Sequence, residues 1–324
     1  MNPINSTKQC ADMDAHIKER IKAIGGDAVS FDVSMAQHAT LRVGGNAEVM
    51  YKAKNLKELK EMIAFFIGER IPYVVVGRGS NLLVTNGGFS GVVILLDGCF
   101  TSLESGTMGE PYVKAGAGLP LNTLVDFCSE SGLAGVEFLA GIPGTLGGAV
   151  TMNAGSWGEE MKDIVGEVTF LTTEGLVEKK ERNDLKFGYR GLDCHPGDII
   201  LNARLNLRFD EPPSIKKRVI ENLKKRRERQ PHGMPSAGSV FKNPEGNYAG
   251  RLIEAAGLKG RRVGGAIISQ KHANFIVNTG NASASEVVTL MDLAADKVRE
   301  KFNVELIPEI KVVGSPHERI KRQH

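Results

Sequence analysis

Apolar residues near the start of the chain recur at helical spacing in two places. In residues 13–24 they fall on one helical face, and Gly25 and Gly26 follow, which predicts a helix that ends there. A strand is expected at 47–51. Asn55 suits the N-cap of a second helix, whose apolar stripe leads into a buried strand at 73–76.

The remaining pattern alternates short strands with a few helices. A helix is predicted near 121–131, a very basic helix ends at Arg229 after a proline-rich hinge at 210–213, and a long amphipathic helix covers 285–302. A short helix is expected at 248–256. The predicted strands are 92–96, 112–115, 168–171, 199–207, 266–269, 275–278 and 308–313.

Composition narrows the class of protein. The chain has 324 residues, 41% hydrophobic and 24% charged, with a formal net charge of +3, so two or three folded subdomains are expected. A net charge this close to neutral does not indicate binding to nucleic acid or to a membrane surface. The 4 cysteines lie far apart without metal-ligand spacing, so we expect free thiols, no metal and a cytoplasmic protein.

A glycine-rich loop follows the strand at 73–76. It departs from a P-loop, because no Gly-Lys-Ser/Thr follows, and from a Rossmann fingerprint, because Leu82 stands at the third glycine position. Bare backbone after a strand is typical of a diphosphate cradle. The candidate cofactor residues here are Gly77, Arg78, Gly79, Ser80, Asn81 and Leu82.

A second run of small residues covers 141–156, where a flat ring or a phosphate can approach the main chain. Either loop alone is better explained by chain reversal, but the two together favour one large anionic cofactor. The candidate residues are Gly141, Pro143, Gly144, Gly147, Gly148, Ala149, Asn153, Ala154 and Gly155.

Three separate positions carry candidate chemistry. Ser239 lies between small residues and can donate a proton, although a structured turn explains that segment equally well. Arg190 suits a carboxylate clamp, and a buried Glu309 would suit acid–base work, yet most such residues are solvated. No histidine base or Gly-x-Ser-x-Gly accompanies Ser239, so an acyl-enzyme is disfavoured.

Six segments, taken in order, resemble the UDP-N-acetylenolpyruvoylglucosamine reductases of bacterial peptidoglycan synthesis. The resemblance covers about residues 35–314. It is closest to the shorter branch of the family, which lacks an extra tyrosine-bearing substrate loop. The segments are 38–45, 76–84, 141–156, 189–190, 237–244 and 308–310.

The resemblance implies an α+β fold, in which a two-subdomain FAD-binding module of the vanillyl-alcohol-oxidase (PCMH) type carries a smaller α+β substrate-binding domain. It gives FAD-binding subdomains at 1–85 and 86–210, a substrate domain at 211–303, a return strand at 304–314 and a disordered tail at 315–324.

The resemblance also implies the reaction and its residues. NADPH reduces FAD, and the reduced cofactor reduces UDP-N-acetylglucosamine enolpyruvate to UDP-N-acetylmuramate. Arg190, Ser239 and Glu309 occupy the catalytic positions, and a monomer is expected. The candidate substrate-binding residues are Tyr189, Lys242, Asn243 and Arg229.

Two alternatives stay open on the sequence. One is a PCMH-type FAD oxidase that acts on a sugar, lactone or hydroxy acid with dioxygen. His38 is its candidate for covalent flavin attachment, but the neighbours of His38 match the reductase pattern. The other is a non-catalytic nucleotide-sugar binding protein that retains the scaffold. Oxygen consumption without NADPH would indicate the first, and a colourless protein the second.

Overall fold

The computed structural model describes residues 13–106 and 109–314. The first ten residues, whose polar composition predicts a loose segment, and the predicted disordered tail at 315–324 lie outside these residues. Within the described ranges, no helix combines the length and the apolar character needed to cross a membrane.

The first subdomain is a small sheet covered by two helices. The strand order is β1-β2-β5-β3, with β1 antiparallel to β2 and the other two pairings parallel. The predicted cap is confirmed, because the Asn55 side chain accepts a 2.9 Å hydrogen bond from Glu58 N. The elements are α1 (Ala15–Gly25), β1 (Val29–Ser34), β2 (Asn46–Ala53), α2 (Leu56–Gly68), β3 (Tyr73–Val75), β4 (Leu82–Val84) and β5 (Phe89–Leu96).

The second subdomain is built on an antiparallel sheet of order β12-β11-β15-β7-β6, with two helices and the β13–β14 hairpin beside it. Every residue of β11 is buried. The elements are β6 (Leu103–Ser105), β7 (Tyr112–Gly116), α3 (Leu121–Glu130), β8 (Leu133–Ala134), α4 (Leu146–Thr151), β9 (Gly155–Ser156), β10 (Glu159–Glu160), β11 (Val165–Leu171), β12 (Val177–Glu181), β13 (Lys186–Gly188), β14 (Gly191–Asp193), β15 (Ile199–Asn206) and β16 (Arg208–Phe209).

The basic helix α5 (Pro212–Arg229) differs in two ways from the sequence expectation. The proline pair is the first turn of the helix rather than a hinge before it, since proline lacks only an N–H that the first turn leaves unused. The helix also packs on the second subdomain, where Arg218 and Asn222 bond to Glu137. We therefore propose that the third subdomain begins near residue 230 instead of 211.

The third subdomain is a sheet of order β17-β20-β19-β18 packed against two helices. The C-terminal segment returns to the first subdomain, because β21 pairs in parallel with β4, although β21 is shorter than the predicted strand and Glu309 precedes it. This pairing brings the C-terminal segment back to the first glycine loop. The elements are β17 (Ser236–Ser239), α6 (Ala249–Ala255), β18 (Arg262–Val263), β19 (Ala266–Ile268), β20 (Phe275–Asn278), α7 (Ala284–Phe302) and β21 (Lys311–Val313).

Candidate active site

A large cleft, with a volume of about 2160 Å³, is lined by residues of all three subdomains. Sites for one small molecule usually measure roughly 300–1,000 Å³, so this cleft has room for a dinucleotide and a second ligand. Both glycine-rich segments line it, and so do Arg190, Ser239 and Glu309. The structure thus brings the three predicted catalytic residues to the same cavity.

The first glycine loop connects β3 to β4 along the floor of the cleft. Among the described residues, none accepts a hydrogen bond from the backbone N–H groups of residues 77–81. Gly79 has φ +60°, and a Cβ there would lie 2.1 Å from His38 O. A Cβ on Gly77 would lie 2.4 Å from Thr145 Oγ1. The loop therefore lines the cleft with backbone N–H groups that have no described acceptor, as the binding of an anionic diphosphate requires.

The second glycine segment packs directly against the first. It is anchored by a 2.8 Å hydrogen bond from Gly147 N to Ala117 O and a 2.9 Å bond from Leu146 N to Leu119 O. Its middle forms α4, a helix that the small-residue pattern did not reveal. The predicted residues of this segment that line the cleft are Gly141, Pro143, Gly144, Gly147, Gly148, Ala149, Ala154 and Gly155.

Arg190 lies in the turn of the β13–β14 hairpin, where Gly188 pairs with Gly191. Its φ of +58° is unusual for a residue with a side chain. Arg190 Nε lies 3.1 Å from Glu309 Oε1, and the two side chains are 22% and 16% exposed. No described acceptor is aligned with Nε–H, so the contact is an ion pair rather than a well-formed hydrogen bond.

Glu309 precedes β21 and is fixed by its backbone. Its N–H donates to Val240 O at 2.8 Å, and its carbonyl accepts from Asn81 Nδ2 at 2.9 Å. Burial raises the pKa of Glu309, while Arg190 and Lys242 partly oppose that effect. The carboxyl therefore retains a proton at higher pH than a solvated glutamate does.

Ser239 ends β17, opposite Phe275 of β20. The next residue, Val240, holds the backbone of Glu309, and a Cβ on the preceding Gly238 would be 3.9 Å from Ser80 O. Ser239 is thus fixed between the first glycine loop and the segment that carries Glu309.

Two predicted site residues lie elsewhere than the sequence suggested. Asn153 does not line the cleft; it is fully buried, and its side chain bonds to protein groups instead of a cofactor. Arg229 is exposed and also outside the lining, with its guanidinium 5.5 Å from the centre of the Trp157 ring. Side chains on a helix point in different directions, and Arg226, one turn earlier, faces the cleft.

The other predicted substrate residues surround Arg190 without lining the cleft. The guanidinium of Arg190 stacks 5.2 Å from the Tyr189 ring centre. Asn243 N lies 3.4 Å from Tyr189 Oη, and Lys242 N donates to Ile307 O at 2.8 Å. Lys242 is close enough to Glu309 to influence its pKa.

Three residues line the cofactor side of the cleft although they were not among the predicted cofactor residues. Thr145 meets the backbone of Gly77, and Met152 Sδ lies 3.6 Å from Asn81 Nδ2. Arg226 is mostly buried, donates from Nε to Ala140 O at 3.1 Å, and burial lowers its pKa. The sequence indicated Thr145 and Met152 only by their position in the second glycine segment, and Arg226 only as one of several arginines in the basic helix that could attract a phosphorylated ligand.

These features fit FAD. A dinucleotide needs unpaired N–H donors for its diphosphate and small residues against its rings, and both are present in the described lining. The first glycine loop would hold the diphosphate, and residues 147–155 would lie against the ring system, with Arg190, Ser239 and Glu309 in the same cavity.

Comparison with known proteins agrees with this architecture. Residues 47–179 match an FAD binding domain, and residues 230–313 match the C-terminal domain of UDP-N-acetylenolpyruvoylglucosamine reductase. The second match begins close to the end of α5.

Similarity to whole proteins covers nearly the full chain. A UDP-N-acetylenolpyruvoylglucosamine reductase of Syntrophus aciditrophicus (strain SB) is 41% identical over 302 residues, which is 93% of this chain and 97% of that protein. The reductase of Caldanaerobacter subterraneus subsp. tengcongensis is 42% identical over 281 residues, which is 86% of this chain and 92% of that protein. The crystal structure of the Thermus caldophilus reductase superposes with a TM-score of 0.76 at 38% identity, covering 88% of this chain and 98% of that one. The chain therefore belongs to the UDP-N-acetylenolpyruvoylglucosamine reductase family.

Proposed function

We propose that this protein reduces UDP-N-acetylglucosamine enolpyruvate to UDP-N-acetylmuramate, with NADPH as reductant and FAD as cofactor, in the synthesis of peptidoglycan precursors. The named reductases that it resembles over nearly their whole length support this activity. The observation that carries the proposal is the 3.1 Å distance between Arg190 Nε and Glu309 Oε1, in the cleft that Ser239 also lines.

FAD, held by the first glycine loop and by residues 147–155, would supply the hydride that originates from NADPH and that reduces the terminal vinyl carbon of the enolpyruvyl group. Negative charge then develops on the adjacent carbon and on its carboxylate. Arg190 is suited to stabilise that charge, because its guanidinium is largely buried and has one carboxylate neighbour. A protonated Glu309 would donate a hydrogen bond to the same group, which its raised pKa favours.

Ser239 completes the reduction by giving its hydroxyl proton to the carbon next to the carboxylate. Its position between the first glycine loop and Glu309 supports this role. We further propose that the protein acts as a monomer, because Arg190, Ser239 and Glu309 all come from one chain, and that it acts in the cytoplasm, as its widely spaced cysteines suggest. The oxidase alternative gains no support, since the compared relatives are named as reductases.

The test is anaerobic mixing of the FAD-loaded protein, first with NADPH and then with UDP-N-acetylglucosamine enolpyruvate. We expect flavin absorbance to bleach in the first step and to return in the second, with UDP-N-acetylmuramate formed in equal amount. Flavin that is not reduced by NADPH, or that is reoxidised only by dioxygen, would contradict the proposed function.

A further inference from the structure

The hairpin that carries Arg190 is held by a buried side chain that never reaches the cleft. Asn153 is 0% exposed. Its Nδ2 donates to Gly188 O at 3.0 Å and to Glu160 Oε2 at 2.9 Å, while its Oδ1 accepts from Lys162 N at 2.9 Å. Gly188 is the last residue of β13, two positions before Arg190.

The same asparagine is continuous with the cofactor side of the cleft. Ala154 and Gly155, which follow it directly, line the cavity. Asn153 has φ +41°, in the left-handed region that asparagine tolerates better than most residues, and its N–H donates to Val150 O at 3.0 Å. One side chain therefore joins the wall made by residues 147–155 to the strand that leads into Arg190.

The hairpin also contacts the same segment in other ways. Arg182 donates from Nε to Lys162 O at 2.9 Å and from Nη1 to Leu185 O at 3.3 Å, and Leu192 of β14 is buried in the same hydrophobic core as Val150 of α4. The Arg182 bonds lie before β13, whereas the Asn153 bond lies next to the turn. Of these hydrogen bonds, the one from Asn153 is the nearest along the chain to Arg190.

We propose that Asn153 is a positioning residue, which fixes the Arg190 guanidinium relative to the wall against which FAD would lie. This inference rests on the proposed function, because it concerns the placement of a group used in the second half-reaction. It requires no contact between Asn153 and the cofactor or the nucleotide sugar. A displacement of about 1 Å in a group that stabilises a transition state can cost roughly 100-fold in rate.

Two substitutions separate the side-chain bonds from the backbone conformation. Asn153→Asp keeps an acceptor for Lys162 N and tolerates the left-handed φ, but it places an oxygen against Gly188 O. Asn153→Gly also accepts this φ and removes the whole tether. The matched control is Asn222→Asp, because Asn222 is also buried and donates one 3.0 Å bond, to Glu137 O, away from the hairpin.

The two half-reactions are then measured separately on FAD-loaded protein. We expect both Asn153 variants to retain FAD and to be reduced by NADPH at the wild-type rate. Reoxidation by UDP-N-acetylglucosamine enolpyruvate should slow by roughly 10- to 100-fold. The Asn222→Asp control should show equal half-reaction rates to wild type, even where its melting temperature falls.

A double-mutant cycle with Arg190→Gln identifies the route of the effect. If Asn153 acts through Arg190, then Asn153→Asp added to Arg190→Gln slows reoxidation little further. Additive losses, loss of bound FAD in both variants, or wild-type reoxidation in both would each overturn the inference. A wild-type protein that is reduced but never reoxidised by the enolpyruvyl sugar would instead remove the proposed function on which it rests.

Discussion

Arg190 Nε and Glu309 Oε1 lie 3.1 Å apart, although their residues belong to separate parts of the fold. Arg190 occupies the turn of a hairpin in the second subdomain, and Glu309 precedes a strand that pairs with the first. The pair forms only when the C-terminal segment returns across the molecule. The ion pair therefore links the hairpin of the second subdomain to the C-terminal segment inside the site.

The raised pKa of Glu309 predicts a pH-dependent stability difference between wild type and Glu309→Gln. A carboxyl group whose pKa is higher in the folded than in the unfolded state binds a proton more tightly when folded. Its contribution to the free energy of unfolding is therefore fully present below the unfolded pKa and is lost as pH rises through the folded pKa.

Denaturant unfolding of both proteins at several values between about pH 4 and pH 8 measures this contribution. We expect the stability of wild type relative to Glu309→Gln to decline across that range. A relative stability that increases with pH would show that the Arg190 ion pair outweighs burial.

Ser239→Ala should separate the two half-reactions. The substitution removes the proposed proton donor and leaves the glycine loops unchanged, so FAD content and flavin reduction by NADPH should stay as in wild type. Reoxidation by the enolpyruvyl sugar should slow by about 100-fold or more, the usual contribution of a positioned acid. Stopped-flow absorbance of the flavin measures both steps. Normal reoxidation would remove Ser239 from the mechanism.

Gly77→Ala should weaken FAD binding by separating the two glycine segments. The new Cβ would lie 2.4 Å from Thr145 Oγ1, too close for any side-chain contact. Overpacking of this kind costs about 1–3 kcal/mol, and we expect the FAD Kd to increase accordingly in a flavin-fluorescence titration.

The steric cause of that loss has its own control. Adding Thr145→Ala removes the clashing hydroxyl and should restore part of the affinity. Gly68→Ala, at the end of α2, meets nothing within 4 Å and should leave the Kd unchanged. Failure of the double variant to recover would show that the contact with Thr145 is not the cause of the loss.

The sequence predicted most elements because their periodicity is local. The helix capped by Asn55, the strand at 275–278 and the returning C-terminal strand all appear where apolar spacing and caps indicated. The helix α4 was missed, since four of its six residues, Gly147, Gly148, Val150 and Thr151, carry weak helical preference. Tertiary packing of residues 146–151 stabilises it instead.

Membership of the site was predictable from motifs, but side-chain direction was not. Bare glycine loops lie in the cleft because their backbone is the functional part. Asn153 sits within such a segment and yet points into the protein, because its left-handed backbone turns its amide toward Gly188. No one-dimensional pattern reports that direction.

Two arginines of the basic helix α5 test whether the direction of a side chain decides its part in the site. Arg226 lines the cleft and bonds to Ala140 O beside the second glycine segment, whereas Arg229 is exposed outside the lining. Arg226→Gln should therefore destabilise the second glycine segment by about 1–3 kcal/mol, as expected when a charged hydrogen-bond donor is lost. Arg229→Gln should change stability by less than about 0.5 kcal/mol.

Both variants remove one positive charge from the same helix, so long-range electrostatics is matched between them. We expect FAD affinity to fall for Arg226→Gln alone, in parallel with its melting temperature, and the KM for the nucleotide sugar to be unchanged in Arg229→Gln. An increased KM in Arg229→Gln with normal FAD binding would restore the substrate role that the sequence suggested for this residue. That result would require its exposed side chain to move from the Trp157 ring toward the cleft when substrate binds.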